Sequence, residues 1–106
     1  MDIQDYQEWV TNFYKKRKWY DYNPFIRVNF LCEEVGEVAR AVRAIEIGRD
    51  RPDEHQKASS LLMNDLEEEI GDVLDSLFIL ADKYNISLES IMSSHKEKLI
   101  NRYNNE

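Results

Sequence analysis

Two acidic pairs lie on stretches whose helical spacing calls for apolar surface, and they constrain this chain more than anything else in it. Leu31, Val35, Val38, Val42 and Ile45 recur at helical intervals and, at 100° per residue, share an arc of about 80°. Glu34 stands at the edge of that arc, with Glu37 one turn further on. The pattern returns downstream. Leu62, Leu66, Ile70, Val73, Leu77, Leu80, Ala81 and Tyr84 form a second apolar face, bordered by Asp65, Glu69, Asp72 and Ser76. Four carboxylates turned toward an apolar interior repel one another and lose hydration, so protons or cations must compensate them. On adjacent antiparallel helices the two pairs could bring all four carboxylates to one place.

The remaining elements follow from local signals. Asp2 caps a first helix carrying Ile3, Tyr6, Trp9, Val10 and Phe13, expected to run to about Trp19. Its end is the basic run Lys15-Lys16-Arg17-Lys18, which complements the helix dipole or forms a positive rim for a polyanion. Asn23 and Pro24 read as N-cap and first residue of the second helix, which stops at Gly48. Residues 49–57 are polar, contain Pro52 and lack apolar periodicity, so they read as a loop. A third helix is expected from Ser59 or Ser60 to about Tyr84. Asn85-Ile86-Ser87 turns the chain, and Ser87 caps a last helix reaching about Tyr103. The expectation is an all-α chain of four helices with the middle two long, forming a single domain over 1–106.

Composition agrees. Three Gly and two Pro leave few places to turn. A net charge of −7 argues against general affinity for nucleic acid or an anionic membrane. No apolar run approaches the roughly 18 residues of a membrane span, and no signal peptide is read at the start, so a soluble, cytoplasmic protein is expected. Cys32, the one cysteine, is expected to pack on the side of its helix without a reactive role.

An all-oxygen cluster of Glu34, Glu37, Glu69 and Asp72 suits Mg²⁺ or Mn²⁺. No His or Cys shares ligand spacing with these acids, which counts against zinc and against di-iron bundles. His55 and His95 read as surface residues, and Glu33, Glu67 and Glu68 as acids pointing away from the apolar faces. Gly36 and Gly71 each sit inside a long helix beside a candidate ligand, where Gly costs about 1 kcal/mol relative to Ala. Close approach of a neighbouring helix or a ligand is the expected reason.

Glu33-Glu34-x-x-Glu37 followed by Glu69-x-x-Asp72 resembles the signature of the MazG-like, all-α nucleoside triphosphate pyrophosphohydrolases. The flanks resemble the family too, from Leu31 to Ala41, from Glu69 to Leu74 and from Tyr84 to Glu89, so the likeness covers about Pro24 to Tyr103. It implies Mg²⁺-dependent cleavage between the α- and β-phosphates of a nucleoside triphosphate, giving a monophosphate and pyrophosphate. By position it implies Glu34, Glu37, Glu69 and Asp72 as metal ligands. Glu33 would then be an outer-shell group or a base orienting water. Lys98, Arg102 and Tyr103 become candidates for phosphate contacts, although the usual family ending spaces these groups more widely. Trp19 and Arg27 become candidates near the base. The resemblance also implies homodimers or tetramers built from dimers. Two other readings compete: a DNA-binding helix-turn-helix over Leu80–Ile91, and a helical interaction module without turnover. Glu89 at a groove-reading position and the acidic chain weigh against the first. The intact acids weigh against the second.

Overall fold

A computed structural model of the chain describes residues 1–48 and 57–104. Those residues form four α-helices with no strand among them: α1 (Ile3–Lys16), α2 (Pro24–Glu46), α3 (Ser59–Lys83) and α4 (Leu88–Arg102), with a short 3-10 turn at Trp19–Asp21. The polar segment read as a loop falls, but for Lys57, outside the described residues, as does His55. The chain divides into two compact units, Met1–Pro24 with Phe78–Glu106, and Phe25–Leu77.

In the first unit, α1 opens with the expected cap. The Asp2 carboxylate accepts from the Asp5 amide at 2.8 Å, and Asp5 returns a bond to the Asp2 amide. The helix ends at Lys16, three residues before the expected Trp19, because Lys18 turns left-handed at φ 64. That conformation is unfavourable for a residue with a Cβ. It carries Trp19 edge-on against Tyr14 and Phe13, at ring separations of 5.5 and 6.1 Å, a tertiary gain that local propensity does not register. Arg17 lies 3.4 Å over the Phe13 ring and donates to the Phe13 carbonyl, which satisfies part of the helix end.

The core of this unit is Val10, Phe78 and Ile79, with Tyr6, Tyr14, Tyr20 and Leu88 packed around it. Tyr6 meets Phe78 edge to face at 5.3 Å. Buried Gln7 ties α1 to the α3–α4 turn, donating to the Ile86 carbonyl and accepting from the Leu88 amide. The turn itself closes with the Ile86 amide on the Ala81 carbonyl and the Asn85 amide on the Asp82 carbonyl, Asn85 taking φ 58 where Gly is usual. Ser87 caps α4 by accepting from the Ser90 amide, as its position predicts.

The second unit pairs α2 with most of α3. Gly48, at φ 83, follows the end of α2 and donates to the Ala44 carbonyl. Little of the unit's expected apolar faces is covered: Leu31, Val38, Ile45, Leu66 and Val73 are half-buried, and Val42 is exposed. Among its described residues only Arg27, Ala41 and Ser76 are buried, while Val35 is 51% exposed and Phe25 88%. Ile70, Leu74 and Leu77 are exposed as well. Cys32 is exposed rather than packed, and His95, on α4 of the first unit, is exposed as expected.

Candidate functional site

The second unit brings the four singled-out carboxylates together. Glu34 and Glu37 sit in mid-α2, Glu69 and Asp72 in mid-α3, each pair one turn apart on a single face. Their charges act on one another across the helices. Partial burial pushes the Glu69 carboxyl above the usual carboxylate range, and Asp72, Glu37, Glu68 and Asp65 push it further. Burial also raises the Glu34 carboxyl. A hydrogen bond from Ser76 opposes that rise, Asp72 adds to it, Arg27 draws it back and Asp75 adds a last repulsion. Glu34 and Glu69 are half-buried, Glu37 and Asp72 exposed, so the cluster runs from a sheltered edge to solvent.

The acids are neighbours without converging on a point. Among the described residues, no three His, Cys, Asp or Glu side chains are gathered closely enough to hold a metal ion. Glu34 and Glu37 each have another partner. Glu34 accepts from the Ser76 hydroxyl of α3. Glu37 pairs with Arg40 at 3.6 Å, a solvent-exposed i, i+3 contact of small energetic weight. The donor set is all oxygen and anionic, which fits a hard divalent cation.

The other candidate residues are placed as follows. Glu33, Glu67 and Glu68 are exposed, as read from the sequence. Arg27 is 4% exposed and lies over the Phe30 ring at 5.4 Å, so its guanidinium sits inside the second unit, within electrostatic reach of Glu34. Trp19, Lys98, Arg102 and Tyr103 all belong to the first unit. Trp19, 43% exposed, is the first residue of the 3-10 turn, Lys98 and Arg102 are exposed on the last turns of α4, and Tyr103 is its C-cap. Around Gly36 and Gly71 the structure shows open space: a Cβ on either would meet nothing within 4 Å. The expected crowding by a neighbouring helix is therefore absent among the described residues. Sequence reasoning placed Ser76 on the acidic stripe but missed its bond to Glu34; its position four residues after Asp72 was the available signal.

Comparison with known proteins identifies the family. The family model for the MazG nucleotide pyrophosphohydrolase domain matches residues 27–106, which include all four acids and the Leu80–Ile91 segment of the helix-turn-helix alternative. The uncharacterized protein YvdC of Bacillus subtilis (strain 168) is 53% identical over 103 residues, covering 97% of each chain. YpjD of the same organism is 36% identical over 87 residues, 82% of this chain and 73% of YpjD. The crystal structure of B. subtilis YpjD, a protein provisionally described as a pyrophosphatase, superposes with a TM-score of 0.67 at 29% identity. That match covers 98% of this chain and 96% of the other.

Proposed function

This chain belongs to the MazG nucleotide pyrophosphohydrolase family, and from that premise we propose that it hydrolyses a nucleoside triphosphate between the α- and β-phosphates. The products are a nucleoside monophosphate and pyrophosphate. The observation that carries the reading is the electrostatic contact of Glu37 and Asp72 with Glu69, and of Asp72 with Glu34, on two paired helices. A triphosphate is a polyanion, so only intervening cations can hold it against these carboxylates.

Glu34, Glu37, Glu69 and Asp72 would hold Mg²⁺, with Mn²⁺ as a substitute. Bound there, the cation would neutralise phosphate charge and lower the pKa of the attacking water. Glu33, exposed beside Glu34, would orient that water and accept its proton as the anhydride bond breaks. Lys98, Arg102 and Tyr103 are proposed as phosphate contacts and Trp19 as a stacking surface for the base. Arg27, enclosed as it is, is better suited to balancing Glu34 than to meeting the base.

The uncovered apolar surface of the second unit supports assembly as a homodimer or as a tetramer built from two dimers. Two helices alone cannot enclose faces that leave Phe25, Val35, Ile70 and Leu74 open to water. Among the described residues no helix is long and apolar enough to cross a membrane, and cytoplasmic action on free nucleotides without a nucleic-acid or membrane partner is part of the proposal.

The test is product analysis with a panel of canonical and modified nucleoside triphosphates in Mg²⁺ and in EDTA. Monophosphate and pyrophosphate in equal amounts, formed only with metal, are expected. Diphosphate and orthophosphate as products, or no turnover of any substrate by folded protein, would refute the reading.

A further inference from the structure

We propose that Ser76 is a positioning residue of the carboxylate site, its hydroxyl holding the Glu34 carboxylate in the orientation from which it would meet a divalent cation. The inference rests on the reading of Glu34 as a metal ligand and goes beyond it, because Ser76 would bind neither metal nor nucleotide. Ser76 is wholly buried in mid-α3, at a position of the helix where an apolar residue would be the ordinary choice. A buried serine inside a helix commonly turns its hydroxyl back to a carbonyl of the preceding turn. Here it reaches across to α2 and donates to Glu34 Oε1.

The placement has a geometric consequence. Ser76 follows Asp72 by four residues, so the donor that orients Glu34 and the ligand candidate Asp72 lie on one face of α3, one turn apart. A carboxylate has two oxygens, and accepting at Oε1 leaves Oε2 available to a cation. Glu34 would otherwise sample several rotamers, and a ligand that must be ordered when the cation arrives binds it less tightly. Arg27, two turns before Glu34 on α2 and itself buried, attracts the same carboxylate. Glu37 pairs instead with Arg40, an exposed arginine on its own helix. Groups that hydrogen-bond metal-ligating side chains commonly change metal affinity or activity by about 10–100-fold when removed.

The experiment measures Mn²⁺ binding to nucleotide-free protein by calorimetry or electron paramagnetic resonance. Wild type is compared with Ser76→Ala and Ser76→Thr, after circular dichroism shows that each is folded. Ser76→Ala is expected to raise the Kd for Mn²⁺ about tenfold or more. Ser76→Thr, which keeps the hydroxyl, is expected to stay within about threefold of wild type, and kcat should fall in Ser76→Ala with a smaller change in KM for the nucleotide. Should Ser76→Ala not fold, Ser76→Cys, similar in size but a weak donor, is judged by the same criteria. Affinity within about twofold of wild type in the variant lacking the hydroxyl would overturn the inference. So would a folded Ser76→Thr as weak as Ser76→Ala, since the effect would then be one of packing. A wild-type protein that binds no Mn²⁺ would instead sink the metal reading itself, and the inference with it.

Discussion

Replacing Glu69 by Gln removes one charge from the centre of the acidic cluster while keeping the side chain's shape, and it should stabilise the metal-free protein. Glu69, already raised by burial, feels Asp72 and Asp65 one turn away on its own helix, Glu68 beside it and Glu37 on the facing helix. Like-charge pairs at i, i+3 or i, i+4 cost about 0.2–0.5 kcal/mol each, which gives about 0.4–1 kcal/mol from the two helix neighbours. Glu37, across a solvent-screened gap, adds a contribution of the same order, so the total is about 1 kcal/mol. Gln and Glu have similar helix propensity, which leaves the difference to charge. In urea, with EDTA and at matched protein concentration, the midpoint should rise by about 0.3–1 M. The gain should depend on pH. Because the folded-state pKa is raised, Glu69 contributes most to stability below its ordinary 4.5, and that contribution is lost as pH rises through the higher folded value. The advantage of the variant should therefore be small near pH 4 and full at pH 7. Saturating Mg²⁺ should reverse the order, since a ligand at 100 times its Kd stabilises wild type by about 2.7 kcal/mol. A Glu69→Gln protein less stable than wild type in EDTA at pH 7 would refute the reasoning and make Glu69 a structural carboxylate.

Three further outcomes are expected. Gly36→Ala and Gly71→Ala each have room for a Cβ, so each should stabilise an isolated chain by about 1 kcal/mol through helix propensity. A loss of oligomer by light scattering in either variant would instead show that a second chain approaches there. Burial, the hydrogen bond to Asp82 and that carboxylate's charge push the Tyr20 phenol from 10.0 to about 12. A raised pKa means stability that is complete below pH 10 and lost as pH rises to about 12. After allowance for solvent around a half-buried ring the loss is about 1 kcal/mol, and denaturation of Tyr20→Phe should lack it. Lys98→Ala and Arg102→Ala should raise KM for the nucleotide several-fold with thermal stability unchanged, because both side chains are exposed. Unchanged steady-state kinetics would remove that residue from the phosphate site.

Much of the fold was legible because its signals are local. Asp2, Ser87, Gly48 and the Asn85 turn each satisfy backbone groups within a few residues of themselves, and each stands where its side chain or φ requires. Lys18 was not legible, since its left-handed turn follows from what Trp19 meets on Tyr14 and Phe13. Periodicity identified which faces of α2 and α3 are apolar. It could not show what covers them, and Val35 and Ile70 remain open to water. The same division holds at the site. Helical spacing put the acids on facing surfaces, but which partner each carboxylate takes depends on rotamers, so Ser76 on Glu34 and Arg40 on Glu37 went unread. Arg27 announced a cation and nothing about its direction, which the structure shows to be inward.

The central claim is that the α2–α3 carboxylates carry out a metal-dependent hydrolysis. It is tested most directly by pyrophosphate release from wild type and Asp72→Ala, each with Mg²⁺ and with EDTA, on a nucleoside triphosphate that wild type accepts. The account predicts release by wild type in Mg²⁺ alone, and none by an Asp72→Ala protein that keeps its helical circular dichroism and, in EDTA, melts no lower than wild type. Turnover by Asp72→Ala at near the wild-type rate, or by wild type in EDTA, would contradict it.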